Sequence, residues 1–308
     1  MRVGVVVNPV AGSGRMRRLW PAAREALSRH FSELIVEETA AVGEASLYAR
    51  KLALEGAEIV IAAGGDGTIS EVADGLLRAG GGGQLGIMPA GTGSDLARSL
   101  GIDGDVEAAA ARIASGSTRT IDVGCINYVD EHGALASRYF INISSLGVSG
   151  PTARAVNDAK TGDRMSGKAV FLWHTVRELI RYRFQEVRIA IDDQPPFEAR
   201  IALVAVANGR FFGGGMMIAP DAVLDDGLLD IVVIRGRSKL SLIKDIRLVY
   251  SGAHRRLASC TFLRGRRVVV EPLGDPLENG ALLDVDGESP GHIPATFDIR
   301  PSALTLRG

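Results

Sequence analysis

Residues 61–68 read Ile61-Ala62-Ala63-Gly64-Gly65-Asp66-Gly67-Thr68, an apolar strand end that runs straight into a glycine-rich turn. Glycines on both sides of Asp66 permit backbone angles and close approaches that a Cβ would block, so main-chain N–H groups can face an anion. Thr68 followed three residues later by Glu71 has the spacing of a capping box. That spacing predicts a helix starting here, which adds its free N–H groups and positive dipole end to the turn. The string therefore reads as a nucleotide phosphate site. The one carboxylate among these donors, Asp66, suits a Mg²⁺ held through water against phosphate oxygens. A lone Asp-Gly is also an ordinary turn, so the reading rests on the whole string Gly64 to Thr68.

The flanking pattern carries this outward. Residues 2–7 are a β-branched run, and further apolar strands are expected at Glu33–Val36, Glu58–Ala63 and Leu85–Met88, with helices at about 15–30, 44–56 and 69–79. Such alternation gives βαβ units on a parallel sheet, in a doubly wound, Rossmann-like α/β domain. Ligands of these sheets bind at the carboxyl ends of the strands, where the clusters Asn8 to Gly14, Gly64 to Thr68 and Pro89 to Asp95 all fall. Gly80 to Gly83 reads as a flexible loop with no assigned chemistry. After about residue 120 the texture changes to strands at Tyr139–Ile143, Val187–Ile191, Arg200–Ala207, Leu228–Ile234, Arg267–Val270 and Ala281–Val285, broken by helices at about 166–182 and 239–253. This predicts a second, mainly antiparallel β domain. The expected division is 1–122 and 123–308, with the C-terminal tail packing back on the first domain.

Composition limits the function classes. The 308 residues are 46% hydrophobic, enough for sizeable cores. A net charge of −1 and a pI near 6.5 argue against a nucleic-acid binder. Cys125 and Cys260 are the two cysteines and form no CxxC pattern, so neither a disulfide framework nor a zinc site is implied and a reducing cytoplasm fits. No stretch approaches the roughly 18 apolar residues of a membrane span, which leaves peripheral membrane contact.

In order along the chain stand Asn8-Pro9-x-Ala11-Gly12, then Gly64-Gly65-Asp66-Gly67-Thr68 with Glu71, then Pro89-Ala90-Gly91-Thr92-Gly93-Ser94-Asp95. Asn208-Gly209, Phe212 to Met216, Ala219 to Ala222 and Asp225 to Asp230 follow, and Asp286-Gly287-Glu288 comes near the end. These strings resemble the diacylglycerol kinase catalytic family, particularly its soluble bacterial lipid kinases, which are similar to sphingosine kinases and more distantly to NAD kinases. The resemblance implies ATP as phosphoryl donor, Mg²⁺ and a lipid substrate. It implies that Asn8 and Thr39 contact the nucleotide, that Gly64, Gly65, Asp66, Gly67 and Thr68 with Gly91 and Thr92 hold its phosphates, and that Asp66 with Asp122 organises water-coordinated Mg²⁺. There is no Gly-x4-Gly-Lys-Ser/Thr string, so this is not a P-loop enzyme. Ser70 and Ser94 stand where the pattern usually has Asn, and both keep a short hydrogen-bonding side chain. In bacterial members the Asp225, Asp226 and Leu228 segment is similar to a site for a structural divalent ion.

Asp286 is expected to be the general base. Strand alternation puts Asp284 and Asp286 on one face, and Gly287 then turns the chain so that Asp286 projects into a cleft with Glu288 close by. Two such carboxylates cannot both ionise freely, so one should rise toward neutrality, where it accepts a hydroxyl proton. Residues 169–180 carry a helical apolar stripe, Ala169, Leu172, Trp173, Val176, Leu179 and Ile180, which reads as core or as an acyl-chain surface. Residues 235–267 hold ten basic side chains against Asp245, a charge of +9, which fits either a solvated face or an anionic bilayer surface. A homodimer is compatible with the reading; nucleic acid is not. The rival readings are an NAD kinase, whose paired Asn-Glu motif is not evident, a phosphofructokinase, and a nucleotide-sensing binding protein without turnover.

Overall fold

Val3–Val7, five consecutive buried residues, form β1, followed by α1 (Ala11–Ser28), β2 (Leu34–Glu38), α2 (Glu44–Leu54), β3 (Ile59–Gly64), α3 (Asp66–Arg78), β4 (Gln84–Pro89), a short α4 (Asp95–Ser99) and α5 (Val106–Ala114). The computed structural model describes residues 1–90, 94–102, 104–159, 167–275 and 279–308. The chain divides into one unit of Met1–Asp122 with Pro301–Gly308 and another of Val123–Arg300.

In the first unit the strands run parallel in the order β2-β1-β3-β4, and Thr305–Arg307 add a further parallel partner along Gln84–Gly86 of β4. β1 and β3 are apolar at every position because both faces of a parallel sheet are covered. On one face Val5, Val7 and Ile61 pack against Met16, Ala23 and Leu27 of α1 and Ile113 of α5. On the other, Leu52 of α2 sits so close over Gly4 that a Cβ there would lie 2.8 Å from it. Helices on both faces make the doubly wound arrangement expected from the sequence.

The third helix departs from expectation at its start. α3 begins at Asp66, with Gly65 as cap residue and no side-chain cap, so Thr68 and Glu71 cannot form the capping box. Glu71 turns instead to α2, where its carboxylate accepts the Gly43 N–H at 3.0 Å and the Ala45 N–H at 3.2 Å. α2 follows a glycine with φ 87° and has no cap of its own, so a carboxylate from the neighbouring helix satisfies its open end.

The second unit contains β5 (Thr118–Asp130, whose first residues belong to the first unit), β6 (Leu135–Phe140), β7 (Ile143–Gly147), α6 (Ser149–Ala159), α7 (Gly167–Arg181), β8 (Gln185–Ile191), β9 (Phe197–Ala207), β10 (Phe211–Phe212), β11 (Met216–Met217), β12 (Leu229–Arg235), α8 (Lys239–Tyr250), a 3₁₀ turn (Ala253–Arg256), β13 (Cys260–Gly265), β14 (Arg267–Pro272), β15 (Leu283–Val285) and β16 (Gly291–Arg307, whose last residues, from Pro301, belong to the first unit). Its pairs are antiparallel: β13-β12-β9-β8-β14-β16 in order, with β7 between β9 and β15. Val204, Val206, Ile231, Val233, Val268, Val270 and Phe297 fill the core on one side of this sheet. Leu203, Ala205 and Val232 face the other side, covered by Leu179 of α7 and Leu242 and Val249 of α8.

The strand expected over Tyr139–Ile143 is broken in two: β6 ends at Phe140 and β7 starts at Ile143, because the intervening main chain is turned onto a side chain far along the sequence. The apolar stripe of α7 does not form core as a unit either. Leu179 and His174 are buried, whereas Leu172, Trp173 and Ile180 are exposed. No helix among the described residues is long and apolar enough to cross a membrane.

Candidate active site

The ends of β1 and β3 are tied to the start of α3 by one side chain. Asn8 donates from its main chain to the Ala63 carbonyl at 3.0 Å and from Nδ2 to Thr68 Oγ1 at 3.1 Å, while its Oδ1 accepts the Val10 N–H at 3.2 Å. Thr39 closes the neighbouring strand end, donating its N–H to the Val7 carbonyl at 2.9 Å. Gly64 has to be glycine, since a Cβ would stand 2.4 Å from Thr68 Oγ1. At Gly65 and Gly67 the requirement is different: a Cβ would meet nothing within 4 Å, so these two glycines leave open space against the N-terminus of α3. Nearby in sequence, Gly12, Ser13 and Gly14 adopt φ of 61°, 56° and 78°, a run of left-handed residues in which the Gly14 N–H donates back to the Val10 carbonyl at 2.9 Å.

Asp66, first residue of α3, spends its carboxylate on the next helix. It accepts the Asp95 N–H at 2.9 Å, the Leu96 N–H at 3.3 Å and the Ser94 hydroxyl. Ser94 in turn caps α4 by accepting the Ala97 N–H at 3.1 Å, so serine in place of the usual Asn still serves as a helix cap. Gly91 and Thr92 lie outside the described residues. Asp122 is buried and accepts the Ser302 N–H at 2.7 Å, fixing a residue with φ 50° where the chain returns to the first unit. Among the described residues no three His, Cys, Asp or Glu side chains converge as a metal cage. Mg²⁺ does not need one, because it is held by one or two carboxylates together with water and phosphate oxygens.

In the second unit Asp286 and Gly287 occupy left-handed φ of 48° and 92°, the conformation of a tight two-residue hairpin. Val285 and Glu288 close it with main-chain hydrogen bonds of 2.7 and 3.0 Å. Strand alternation thus ends at Val285, and Asp284 and Asp286 do not share a face. The Asp286 carboxylate accepts three N–H groups, from Ile141 at 2.9 Å, Asn142 at 3.2 Å and Ile143 at 2.9 Å. Three of its roughly four acceptor positions are thereby committed to the main chain, and this is what interrupts β6 and β7. Asn208, the first residue of the long signature, holds the same segment by donating to the Ile141 carbonyl at 3.0 Å. Glu288 accepts from Asn157 of α6 at 3.3 Å.

The carboxyl pushed toward neutrality is Asp284, a residue given no role by the sequence. Burial raises it to about 7, against the pull of the Gly287 N–H that it accepts at 2.9 Å, with the charges of Asp286 and Glu288 adding to the rise. Ser145 lies 3.4 Å from its other oxygen and donates to Ser149 at 2.8 Å. Asp284 and Asn157 are the functional candidates that sequence reading missed. The acidic spacing at 284 and 286 was a usable signal; nothing local marks Asn157.

Asp226, part of the expected ion site, accepts the Leu228 N–H at 3.1 Å and pairs with Arg264, which also lies 3.4 Å from Asp230. Asp226 thus carries one guanidinium contact, while the charges of Asp221 and Asp226 still act on the buried Asp230 beside them. The basic run 235–267 is compensated in part. Arg237 pairs with Asp245, Arg255 with Asp221, Arg264 with Asp226, and Arg267 with Asp298.

Residues 2–126 match the family model of the diacylglycerol kinase catalytic domain, and residues 143–308 match that of the YegS C-terminal NAD kinase beta sandwich-like domain. The chain is 31% identical over 313 residues to a diacylglycerol kinase of Mycobacterium tuberculosis (strain ATCC 25618 / H37Rv), covering 99% of this chain and 94% of that protein. It is 29% identical over 298 residues to the diacylglycerol kinase of Bacillus subtilis (strain 168), covering 96% and 92%. The crystal structure of a candidate diacylglycerol kinase from Bacillus anthracis str. Sterne has the same fold, with a TM-score of 0.77 at 25% identity over 99% of this chain and 94% of that one. The glycine turn on α3 and the Asp-Gly-Glu hairpin thus lie within two matched models that together span most of the chain, which belongs to the diacylglycerol kinase family of lipid kinases and is a phosphotransferase.

Proposed function

We propose that the protein transfers the γ-phosphoryl group of ATP to the hydroxyl of diacylglycerol or a closely related lipid at the surface of the cytoplasmic leaflet. The observation that carries this reading is the open space at Gly65 and Gly67, where the N-terminus of a thirteen-residue helix offers N–H groups to an anion with no Cβ in the way. Phosphates would lie on the main chain of Gly65 to Thr68. Asn8 and Thr39, fixed at the neighbouring strand ends, would line the rest of the nucleotide. Asp66 and Asp122 would hold Mg²⁺ through water, and the ion would draw charge from the phosphoryl oxygens. The proton of the acceptor hydroxyl would pass to a carboxylate of the Asp286–Glu288 turn, which the 141–143 amides and Asn157 keep in place. The decisive experiment supplies labelled ATP with diacylglycerol micelles, with NAD, and with no acceptor, and identifies the product. Label in a lipid phosphate monoester supports the reading; label in NAD phosphate, or release of free phosphate equal in all three arms, overturns it.

A further inference from the structure

α7 and α8 cover the same face of the second unit's sheet through Leu179, Leu242 and Val249, so their opposite faces both point away from it. On α7 that outward face is apolar. Leu172, Trp173 and Ile180 are 37, 63 and 55% exposed, and with the half-buried Val176 they fall on one side of the helix at spacings of three, four and seven. On α8 the outward face carries Leu240, 72% exposed, then Lys244 and Arg247, both exposed at the next turns. The two helices meet where Lys239 of α8 donates to the Ile180 carbonyl at the end of α7, which brings Ile180 and Leu240 to one junction. Exposed Arg177 and Arg181 flank the apolar strip on α7. The nearby acids are largely engaged: Glu178 is mostly buried and lies 3.8 Å from Arg177, and Asp245 pairs with Arg237.

We propose that this face, Leu172, Trp173 and Ile180 of α7 with Leu240 of α8, inserts into the headgroup region of an anionic bilayer, with Arg177, Arg181, Lys239, Lys244 and Arg247 contacting lipid phosphates. Apolar side chains ringed by cations, with a tryptophan at their centre, are what an interfacial helix presents to acidic lipid. A soluble protein partner would not call for the surplus of positive charge, and a second copy of the same face would be repelled by it. The inference rests on the lipid-kinase reading for its purpose, but its test needs no catalysis.

The chain has two tryptophans, Trp20 and Trp173, so Trp20→Phe leaves Trp173 as the sole reporter. With vesicles of phosphatidylcholine and phosphatidylglycerol carrying brominated acyl chains, Trp173 emission should shift to the blue and be quenched; with pure phosphatidylcholine it should not. Trp173→Ser should weaken co-sedimentation with these vesicles roughly tenfold or more. Each neutralisation among Lys239→Gln, Lys244→Gln and Arg247→Gln should weaken it about fivefold. Turnover on a water-dispersed short-chain diacylglycerol should be unchanged in all of these variants. Vesicle binding that leaves Trp173 unquenched would overturn the proposal, as would self-association abolished by Trp173→Ser in the absence of vesicle binding. If the parent fails to phosphorylate the short-chain lipid, the lipid-kinase reading falls while the quenching result still decides the docking face.

Discussion

The chain uses aspartate beside glycine twice, and the two turns are built differently. At Gly65-Asp66-Gly67 the backbone is unstrained for any residue and the glycines leave open space. At Asp286-Gly287 both residues are left-handed and the chain reverses within a hairpin. Yet both carboxylates do one thing in common: each accepts main-chain N–H groups from a separate segment, Asp66 from Asp95 and Leu96, Asp286 from Ile141 to Ile143. A motif aspartate here is therefore a structural clamp as well as a candidate chemical group. The first turn gains room for a ligand from its glycines, whereas the second gains rigidity from its aspartate.

Substituting the two aspartates separates these duties, with the largest effects expected. Asp66→Asn should reduce phosphoryl transfer on the order of 10³-fold even in saturating Mg²⁺, at a stability cost of about 1–2 kcal/mol because one carbonyl oxygen remains for α4. Near-normal turnover would remove Asp66 from the metal role. Asp286→Asn should cost about 3 kcal/mol in urea unfolding, since an amide NH₂ must face a main-chain N–H, and should lower kcat about 10²-fold. Glu288→Gln should show a similar fall in kcat with stability unchanged. If Asp286→Asn unfolds no more readily than Glu288→Gln, the clamp is not what holds the second turn.

How far the sequence showed this depended on the range of each interaction. β3 and the turn after it were legible because the apolar run and the glycines are contiguous. The start of α3 was misplaced because Thr68 and Glu71 have capping-box spacing, while the carboxylate finds better use 28 residues away on Gly43. The break between β6 and β7 is set by an aspartate 143 to 145 residues downstream, which no local pattern reveals. The acidic turn at Asp226 was legible as a short string, whereas its contact with Arg264, 38 residues on, was not. On α7 periodicity found a stripe but could not say which side is covered. The buried side carries His174 at 8% exposure, a polar residue that apolar counting assigns to the surface.

A smaller effect tests the second turn through its buried neighbour. Asp284 sits at about 7 in the folded protein against an ordinary 3.8, so the folded chain keeps a proton that the unfolded chain has already lost. This stabilisation is full below about pH 4 and is lost as pH rises to about 7. The total change is up to about 4 kcal/mol, levelling off above that window. Asp284→Asn mimics the neutral acid and should remove the slope while keeping the Gly287 N–H partner. Urea unfolding at a series of pH values from about 4 to 8 checks it. A slope that persists in Asp284→Asn would place the raised group elsewhere and leave the hairpin without its buried support.

The smallest effect on stability is the sharpest test of the first turn. Gly67 lies inside the first turn of α3, and nothing stands where its Cβ would go. For the helix alone, Gly67→Ala should therefore help, by up to about 1 kcal/mol, because alanine loses less backbone freedom on folding. For a phosphate resting on this turn the same methyl group occupies the approach, so the affinity for ATP should fall as the fold becomes more stable. Gly65→Ala should likewise weaken nucleotide binding with little change in unfolding, while Gly64→Ala, driven against Thr68 at 2.4 Å, should lose both. Calorimetric ATP titration beside urea unfolding of the three variants reads the two quantities independently. If Gly67→Ala binds ATP as the parent does, the open space on α3 is not where the phosphates lie, and the glycines of the turn serve the backbone alone.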